Sequence, residues 1–380
     1  MNSGIYIHIP FCKQACSYCN FFFSTRQQYM PDFVGRLKEE IRSVELSEAV
    51  DSPRTLYFGG GTPSLLSTSD FSAIMDTLQE RFDLQALQEV TLEVNPDDIT
   101  FEKLESWLKL GVDRLSIGVQ SFDEELLRFM HRAHDSEMAQ KALAMVKDAG
   151  FTNFTMDLIY GNPGQNVEML KQDLDRFLEF EPPHISAYAL TIEPRTRLGK
   201  MEELGRLTQA DEETVIAHAE CIQQTLKHGG LDRYEVSNYA RPGFRAVHNS
   251  SYWRHLPYLG FGPGAHSFRW SDTGTEGIRS YRKPDLKSYL QKPFTETAEE
   301  EFLDQTTLAE ERIMTGLRTV EGISAEEMSN DYNYHLSEKQ NELISTFEQQ
   351  GWILSRNPLR LSDSGWHRAD RITLELLSTG

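Results

Sequence analysis

The sequence predicts an α/β fold, a partial (β/α)6 barrel followed by a smaller α+β C-terminal domain. Short apolar or β-branched runs alternate with stretches of helical period from residue 4 to about residue 190. This alternation is typical of a parallel sheet with crossover helices. It stops after six units, so a complete eight-stranded barrel is not predicted. The end of the chain has another order, several helices and one hairpin.

The six repeated units each predict one strand and one helical region. The strands are 5–9, 55–59, 90–94, 114–119, 154–160 and 184–190. Asp, Ser and Thr residues precede several of the helical stretches and supply N-caps. The predicted helices are 31–48, 68–81, 100–110, 123–149 with a break near Ala133, and 165–180.

Three regions follow from this pattern. Residues 1–200 form the barrel, 201–295 an extension and 296–380 a C-terminal domain. The extension opens with a helix at 208–228 and continues with Gly-, Pro- and aromatic-rich sequence, which predicts a cap over a site.

The C-terminal region has the order of elements found in a winged helix. Because the chain is acidic, we favour a small packing or interaction module over a DNA-binding one. The predicted elements are helices 305–319, 323–330, 337–350 and 368–377, with a hairpin before the last helix.

Composition restricts the partners of this chain. A formal net charge of -20 disfavours duplex DNA or an anionic membrane as the main partner, so we expect no nucleic acid. The sequence has no run of 18 apolar residues, and its first residues do not have the pattern of a signal peptide. We therefore expect a cytoplasmic protein. Dimerisation, and peripheral membrane association through partners, are left open.

Three of the four cysteines, Cys12, Cys16 and Cys19, lie within the stretch "CKQACSYCN". In a reducing compartment such a group indicates metal or redox chemistry rather than disulfides. Structural zinc needs a fourth ligand, for which His8 or the distant Cys221 would have to serve. Three thiolates can instead hold three irons of a [4Fe–4S] cluster and leave one iron open. The spacing favours the cluster.

The C-x3-C-x2-C loop directly after a first strand resembles the motif of the radical S-adenosylmethionine (SAM) superfamily. The second predicted strand ends in "GGGTP", which is similar to the glycine motif of that superfamily. "YIHIPFC", "LEVNPDD", "IGVQSFD", "HRAH" and "MDLIYGNPGQ" resemble motifs of its oxygen-independent coproporphyrinogen III oxidase group. The resemblance covers at least residues 5 to 270.

The resemblance implies a [4Fe–4S] cluster on the three cysteines and a SAM site beside it. Carboxylates near strand ends can accept hydrogen bonds from ribose or ammonium groups, and an arginine can pair with a carboxylate. Glycine is expected where backbone approaches the SAM amino group. The residues implied to contact SAM are Tyr6, Tyr18, Gly60, Gly61, Thr62, Glu93, Gln120, Arg132 and Asp157.

Two branches of this group differ in function. The oxidase branch carries one more cysteine two residues after the third, and this chain has Phe21 there. The other branch, the HemW-type haem chaperones, carries an H-N-x-x-Y-W motif, and this chain has "HNSSYW" at 248–253. A histidine can bind haem iron and aromatic rings can stack on the macrocycle. The residues implied for haem are His248, Tyr252 and Trp253, with His266 as a rival ligand.

The resemblance therefore implies a haem chaperone that carries haem as cargo to acceptors such as respiratory haemoproteins. Coproporphyrinogen III oxidase activity is the alternative function. Whether SAM is cleaved, and whether one or two SAM molecules bind, the sequence leaves open.

Overall fold

The computed structural model describes residues 3–44, 51–271 and 273–379. All six predicted strands are present and run parallel to one another in chain order. They are β1 (Gly4–Ile9), β2 (Thr55–Gly60), β3 (Glu89–Val94), β4 (Arg114–Gln120), β5 (Phe154–Tyr160) and β6 (His184–Ala189).

The predicted crossover helices are confirmed, with a break between the two helices that bracket Ala133. Side chains of Asp, Asn, Ser and Thr cap several of them by accepting backbone N–H groups. The first helix ends at Ser43, and the predicted residues 45–48 lie outside the described residues. The helices are Met30–Ser43, Thr68–Arg81, Phe101–Lys109, Glu124–Phe129, Ser136–Asp148 and Val167–Glu179.

The extension lengthens the sheet at both edges, so that the described residues form one sheet of twelve strands. At one edge β9 (Tyr258–Phe261) pairs parallel to β1, and three antiparallel strands follow it, of which the last lies beyond the predicted extension: β10 (His266–Trp270), β11 (Gly277–Arg282) and β12 (Ala298–Leu303). At the other edge β8 (Asn238–Ala240) pairs antiparallel to β6, and β7 (Asp232–Arg233) pairs antiparallel to β8.

Alternation along the strands separates the apolar core from the polar interior of the barrel. In β1, Ile5, Ile7 and Ile9 are fully buried in the main apolar core. Tyr6 and His8, the residues between them, point to the opposite face because successive strand side chains alternate. The polar face of the sheet therefore carries the chemistry-bearing residues.

Among the described residues, five further helices belong to the loop after β6 and to the extension. The helix predicted at 208–228 is present in shorter form. The five are Arg197–Glu203, Glu212–His228, Val247–Trp253, Leu286–Gln291 and Phe294–Thr297.

The C-terminal region has its own apolar core, which includes Ile313, Phe347, Trp366 and Ile372. The predicted order of helices and hairpin is confirmed. None of the helices in the described part of the chain has the length and hydropathy of a membrane span. The elements are Gln305–Gly316, Ala325–Tyr332, Glu338–Gln349, β13 (Ile353–Arg356), β14 (Leu359–Leu361), Asp363–Trp366 and Ala369–Ser378.

Candidate functional site

A cavity of about 450 Å3 lies where the carboxyl ends of the parallel strands meet, the usual position of active sites in such sheets. Cys12, Cys16 and Cys19 all line it. Eight of the nine residues implied for SAM line the same cavity, and they come from five successive strands and the loops that follow them. They are Tyr18, Gly60, Gly61, Thr62, Glu93, Gln120, Arg132 and Asp157.

The cysteine loop, residues 12–20, follows shortly after β1. Hydrogen bonds of Ser17, near the middle of this loop, fix it to neighbouring segments. Ser17 donates its backbone N–H to the Met130 carbonyl at 3.0 Å and its hydroxyl to the Phe129 carbonyl at 2.8 Å. The Ser17 carbonyl accepts the backbone N–H of Leu198 at 3.0 Å. These bonds hold the three thiols at the cavity independently of any metal.

The thiols are a soft donor set with polar support. Thr62 donates its hydroxyl to the Cys12 sulfur at 3.5 Å, and Arg132 donates a guanidinium N–H to the Cys16 sulfur at 3.4 Å. Burial raises the pKa of the Cys12 thiol to about 11. Iron binding at Cys12 therefore requires release of a proton. This donor set fits an iron–sulfur cluster.

The zinc alternative depends on His8, whose two ring nitrogens both have partners. One lies 2.9 Å from the Phe22 carbonyl and the other 3.1 Å from the Tyr6 hydroxyl. Cys221 is a half-buried residue of the helix Glu212–His228. Among the residues that the structure describes, no three Cys, His, Asp or Glu side chains are grouped as ligands of one ion.

The turn after β2 requires glycines because of its close contacts with other parts of the protein. Gly60 has a φ of +108°, and a Cβ there would lie 2.6 Å from the His8 ring. A Cβ on Gly61 would lie 2.7 Å from the Phe11 carbonyl oxygen, which is fixed backbone of the cysteine loop. The turn can therefore approach the cysteine loop only if both residues lack side chains.

Two half-buried carboxylates, Glu93 on β3 and Asp157 on β5, line the cavity. Glu93 accepts hydrogen bonds from the Tyr57 hydroxyl at 2.8 Å and the Gly60 N–H at 3.1 Å. Burial, opposed by these bonds, raises its pKa to about 7. Asp157 lies in the middle of β5 rather than at its end, and burial raises its pKa to about 6. Both can accept hydrogen bonds from a bound ligand.

Arg132 and Gln120 have polar atoms that the protein leaves unpaired. Arg132 donates to Asn95 Oδ1 at 2.7 Å and to the Gly118 carbonyl at 2.8 Å, which fixes the guanidinium. Its Nε and the Oε1 of Gln120 are buried without a hydrogen-bond partner among the described residues. Gln120 also has a φ of 69°, a backbone strain typical of functional sites. Unpaired buried polar atoms beside a cavity fit a polar ligand such as SAM.

Tyr6, the ninth implied residue, does not line the cavity. Its ring stacks on that of Tyr57 with centroids 6.0 Å apart. Its side chain therefore lies deeper in the barrel interior, behind the residues that face the cysteines.

The HNSSYW segment lies on the helix Val247–Trp253, at the opposite end of the strands. The backbone N–H groups of Val247 and His248 donate to the carboxylate of Glu89 at 2.7 and 3.0 Å. Glu89 is the first residue of β3. Glu89 therefore anchors this helix at the amino ends of the strands, and any cap that it forms lies at the end opposite the cysteines.

The His248 ring is fully buried with both nitrogens engaged. Nδ1 lies 2.8 Å from the Thr55 hydroxyl and Nε2 lies 2.7 Å from the Tyr252 hydroxyl. Burial lowers the pKa of His248 to about 3, so the imidazole is neutral. Trp253 is half-buried and His266 is exposed. Ligation of haem iron by His248 would require one of its two hydrogen bonds to break.

Several cavity residues were not predicted as site residues. Lys13, Asn95, Ser116 and Tyr188 line the cavity. Asn95 belongs to the quoted motif "LEVNPDD", which could have identified it. Ser116 donates its hydroxyl to Asp157 at 3.2 Å, a contact between strands that no local sequence pattern reports.

Comparison with known proteins gives two family matches. Residues 6–177 match the Radical SAM superfamily, and residues 303–367 match the HemN C-terminal domain. The chain is 33% identical to the heme chaperone HemW of Lactococcus lactis over 97% of this chain and 96% of the relative. It is 37% identical to the heme chaperone HemW of Escherichia coli over 69% of each chain.

The fold also matches a solved structure. The coproporphyrinogen III oxidase HemN from Escherichia coli, described as a radical SAM enzyme, superposes with a TM-score of 0.82. The match covers 100% of this chain and 91% of the oxidase, at 22% sequence identity. At that identity the likeness concerns the fold.

Proposed function

Because the chain belongs to the HemW family of heme chaperones within the radical SAM superfamily, we propose that it binds a [4Fe–4S] cluster, SAM and haem and delivers the haem to acceptor proteins. The observation that carries the proposal is the combination of one thiol-lined cavity with sequence similarity to HemW proteins along almost the whole chain. Respiratory haemoproteins are the expected acceptors and the cytoplasm the expected compartment.

Cys12, Cys16 and Cys19 would hold the cluster, which supplies an iron open to the amino and carboxylate groups of SAM. Thr62 and Arg132 support this role, since each donates a hydrogen bond to a cysteine sulfur. Such bonds stabilise negative charge on thiolates.

The proposed SAM site uses residues that the protein already orients. The guanidinium of Arg132, fixed by Asn95 and Gly118, can pair with a carboxylate. Glu93 and Asp157 can accept hydrogen bonds from ammonium or ribose hydroxyl groups. Tyr18, Gly60, Gly61, Thr62 and Gln120 complete the lining, while Tyr6 would act through Tyr57 and His8 rather than by contact.

The identity of residue 21 favours a chaperone over an oxidase. Phe21 occupies the position at which the oxidase branch carries a further cysteine, and its side chain is 73% exposed beside the cavity. Oxidase activity is the alternative function. Anaerobic incubation with coproporphyrinogen III, SAM and a reductant tests it, because vinyl groups form only if the propionates are decarboxylated.

The haem role of His248, Tyr252 and Trp253 stays a prediction from sequence. Within the present packing His248 bonds to Thr55 and Tyr252, so this role requires the helix Val247–Trp253 to leave the strand ends. Haem titration of His248→Ala tests it. Loss of haem binding with retained iron and sulfide supports a ligand role, and unchanged binding assigns the ligand elsewhere.

The direct test of the proposed function is anaerobic reconstitution followed by haem titration. We expect iron and labile sulfide in equal amounts, about four of each per chain, and a saturable haem spectrum. Zinc without labile sulfide would contradict the cluster, and absence of saturable haem binding would contradict the chaperone role.

A further inference from the structure

A second cleft of about 420 Å3, here called the outer cleft, is lined by the cysteine loop and by residues 195–197. It shares Cys16, Cys19, Phe21 and Phe23 with the inner cavity, so the two spaces adjoin at this loop. Five residues line the cleft but not the inner cavity, and three of them, His131, Arg195 and Arg197, have polar or charged side chains exposed there. We propose that this outer cleft is the haem site, an inference that rests on the proposed function.

The charge of the cleft contrasts with that of the whole chain. The chain has a formal net charge of -20, yet none of the described residues that line the cleft is Asp or Glu. Arg195 and Arg197 are both exposed there. A haem carries two propionate carboxylates on one edge, and the guanidinium groups of two arginines that line one cleft can bind them by charge-assisted hydrogen bonds.

The two arginines are held in place by the buried residue between them. Thr196 donates its hydroxyl to the Glu193 carbonyl at 2.7 Å and accepts the Gly199 N–H at 3.1 Å. Leu198 donates its backbone N–H to Ser17 in the cysteine loop. These bonds therefore fix the backbone of both arginines relative to Cys16 and Cys19.

The cleft is also lined by a histidine whose backbone is held by a hydrogen bond. His131 has a φ of 57°, and its carbonyl accepts the Gln14 side-chain N–H at 2.8 Å. Its ring is exposed to the cleft, unlike that of His248. An exposed imidazole can become an axial ligand of haem iron without loss of an internal hydrogen bond.

Two aromatic rings provide the apolar contact. Phe21 is 73% exposed, an unfavourable position for a large apolar side chain that has no partner. Phe23 lies in the same cleft. Flat aromatic faces can stack on a macrocycle. The replacement of a thiol by Phe21 thus gives this cleft an aromatic wall.

The test uses three porphyrins on the reconstituted full chain: haem, haem dimethyl ester without free carboxylates, and iron-free protoporphyrin IX. For Arg195→Ala/Arg197→Ala we expect haem and protoporphyrin affinity to fall by about tenfold or more, with the ester little changed. For His131→Gly we expect an altered Soret band that added imidazole restores, with protoporphyrin binding unchanged. Glycine is compatible with the positive φ at residue 131.

The matched control is Arg245→Ala/Arg254→Ala, a pair that flanks the helix Val247–Trp253 and is about half exposed. We expect this variant to bind haem like the wild type. If this control variant binds haem more weakly than the wild type while Arg195→Ala/Arg197→Ala does not, the haem site lies at the HNSSYW helix and the inference is wrong. If the wild type itself binds no haem, the proposed function fails instead.

Discussion

The Tyr57 hydroxyl donates a 2.8 Å hydrogen bond to the Glu93 carboxylate at the cysteine end of the barrel interior. The Tyr57 ring also stacks on the His248 ring, at the opposite end of the barrel interior, with centroids 4.9 Å apart. One residue of β2 therefore contacts both the proposed SAM site and the HNSSYW helix. Its removal should affect both.

Tyr57→Phe keeps the ring and removes only the hydrogen-bond donor. Loss of the hydrogen bond to the half-buried Glu93 carboxylate should lower the free energy of unfolding by about 1–3 kcal/mol at pH 8. Urea unfolding of the metal-free protein measures this change. Tyr29→Phe, at an exposed tyrosine of the described chain, is the control and should change stability little.

Glu93 should make the stability of the metal-free protein depend on pH. Its folded pKa of about 7 exceeds the ordinary 4.5, so the folded state holds a proton that the unfolded state releases between these values. The stabilising contribution is present below about pH 4.5 and is lost by about pH 7. Relative to Glu93→Gln, the wild type should lose on the order of 1 kcal/mol per pH unit in this window.

Urea unfolding of both proteins between pH 4.5 and 8 gives the difference in unfolding free energy. Titratable groups that do not interact with Glu93, such as His248, contribute equally to both proteins and cancel in the comparison. A difference that stays constant with pH would show that folding does not raise the pKa of Glu93.

Each single replacement of Cys12, Cys16 or Cys19 by serine should abolish the reconstituted cluster, because serine is a poor ligand for it. Cys221→Ser removes a thiol from the helix Glu212–His228, outside the cysteine loop, and should leave iron and sulfide content unchanged. Iron and labile sulfide assays after anaerobic reconstitution compare the four variants. Retention of full iron in any of the first three would remove that residue from the ligand set.

His248→Ala should destabilise the fold because it leaves the Thr55 and Tyr252 hydroxyls without partners in a buried site. The expected loss is about 2–4 kcal/mol of unfolding free energy. His266→Ala, at an exposed histidine, is the control and should stay within about 0.5 kcal/mol of the wild type. Equal stability of the two variants would argue against the packing seen here.

Gly60→Ala should be more destabilising than Gly111→Ala. Both glycines have positive φ, +108° and +90°, so both variants incur similar backbone strain, about 1–2 kcal/mol. Only Gly60 would place its Cβ against another residue, 2.6 Å from the His8 ring, whereas Gly111 faces open space. Thermal unfolding of the pair separates the clash from the strain.

The six parallel strands could be predicted from sequence because each is a local apolar run between turn signals. Strand β9 could not, since it is short and flanked by Gly and Pro. Its pairing with β1 also joins Gly4 to Tyr258, residues far apart in the chain. Non-local pairing of this kind leaves no period in the sequence.

The site shows the same contrast. The spacing of the cysteines and the GGGTP turn are local, and both lie at the cavity. The position of His248 depends on Glu89 and Thr55, the first residues of two strands, neither of which belongs to a recognisable motif. Sequence therefore identified His248 as a distinctive residue but not the end of the barrel where it lies.

Haem transfer to an acceptor is the most direct test of the proposed chaperone function. The reconstituted chain is loaded with haem, separated from free haem and mixed anaerobically with the apo form of a respiratory haemoprotein, while the acceptor's absorption spectrum is recorded. We expect the holo-acceptor spectrum to appear as the donor's haem spectrum declines, in equal amounts. Haem that stays on the donor, with vinyl formation from coproporphyrinogen III by the same preparation, would contradict this function.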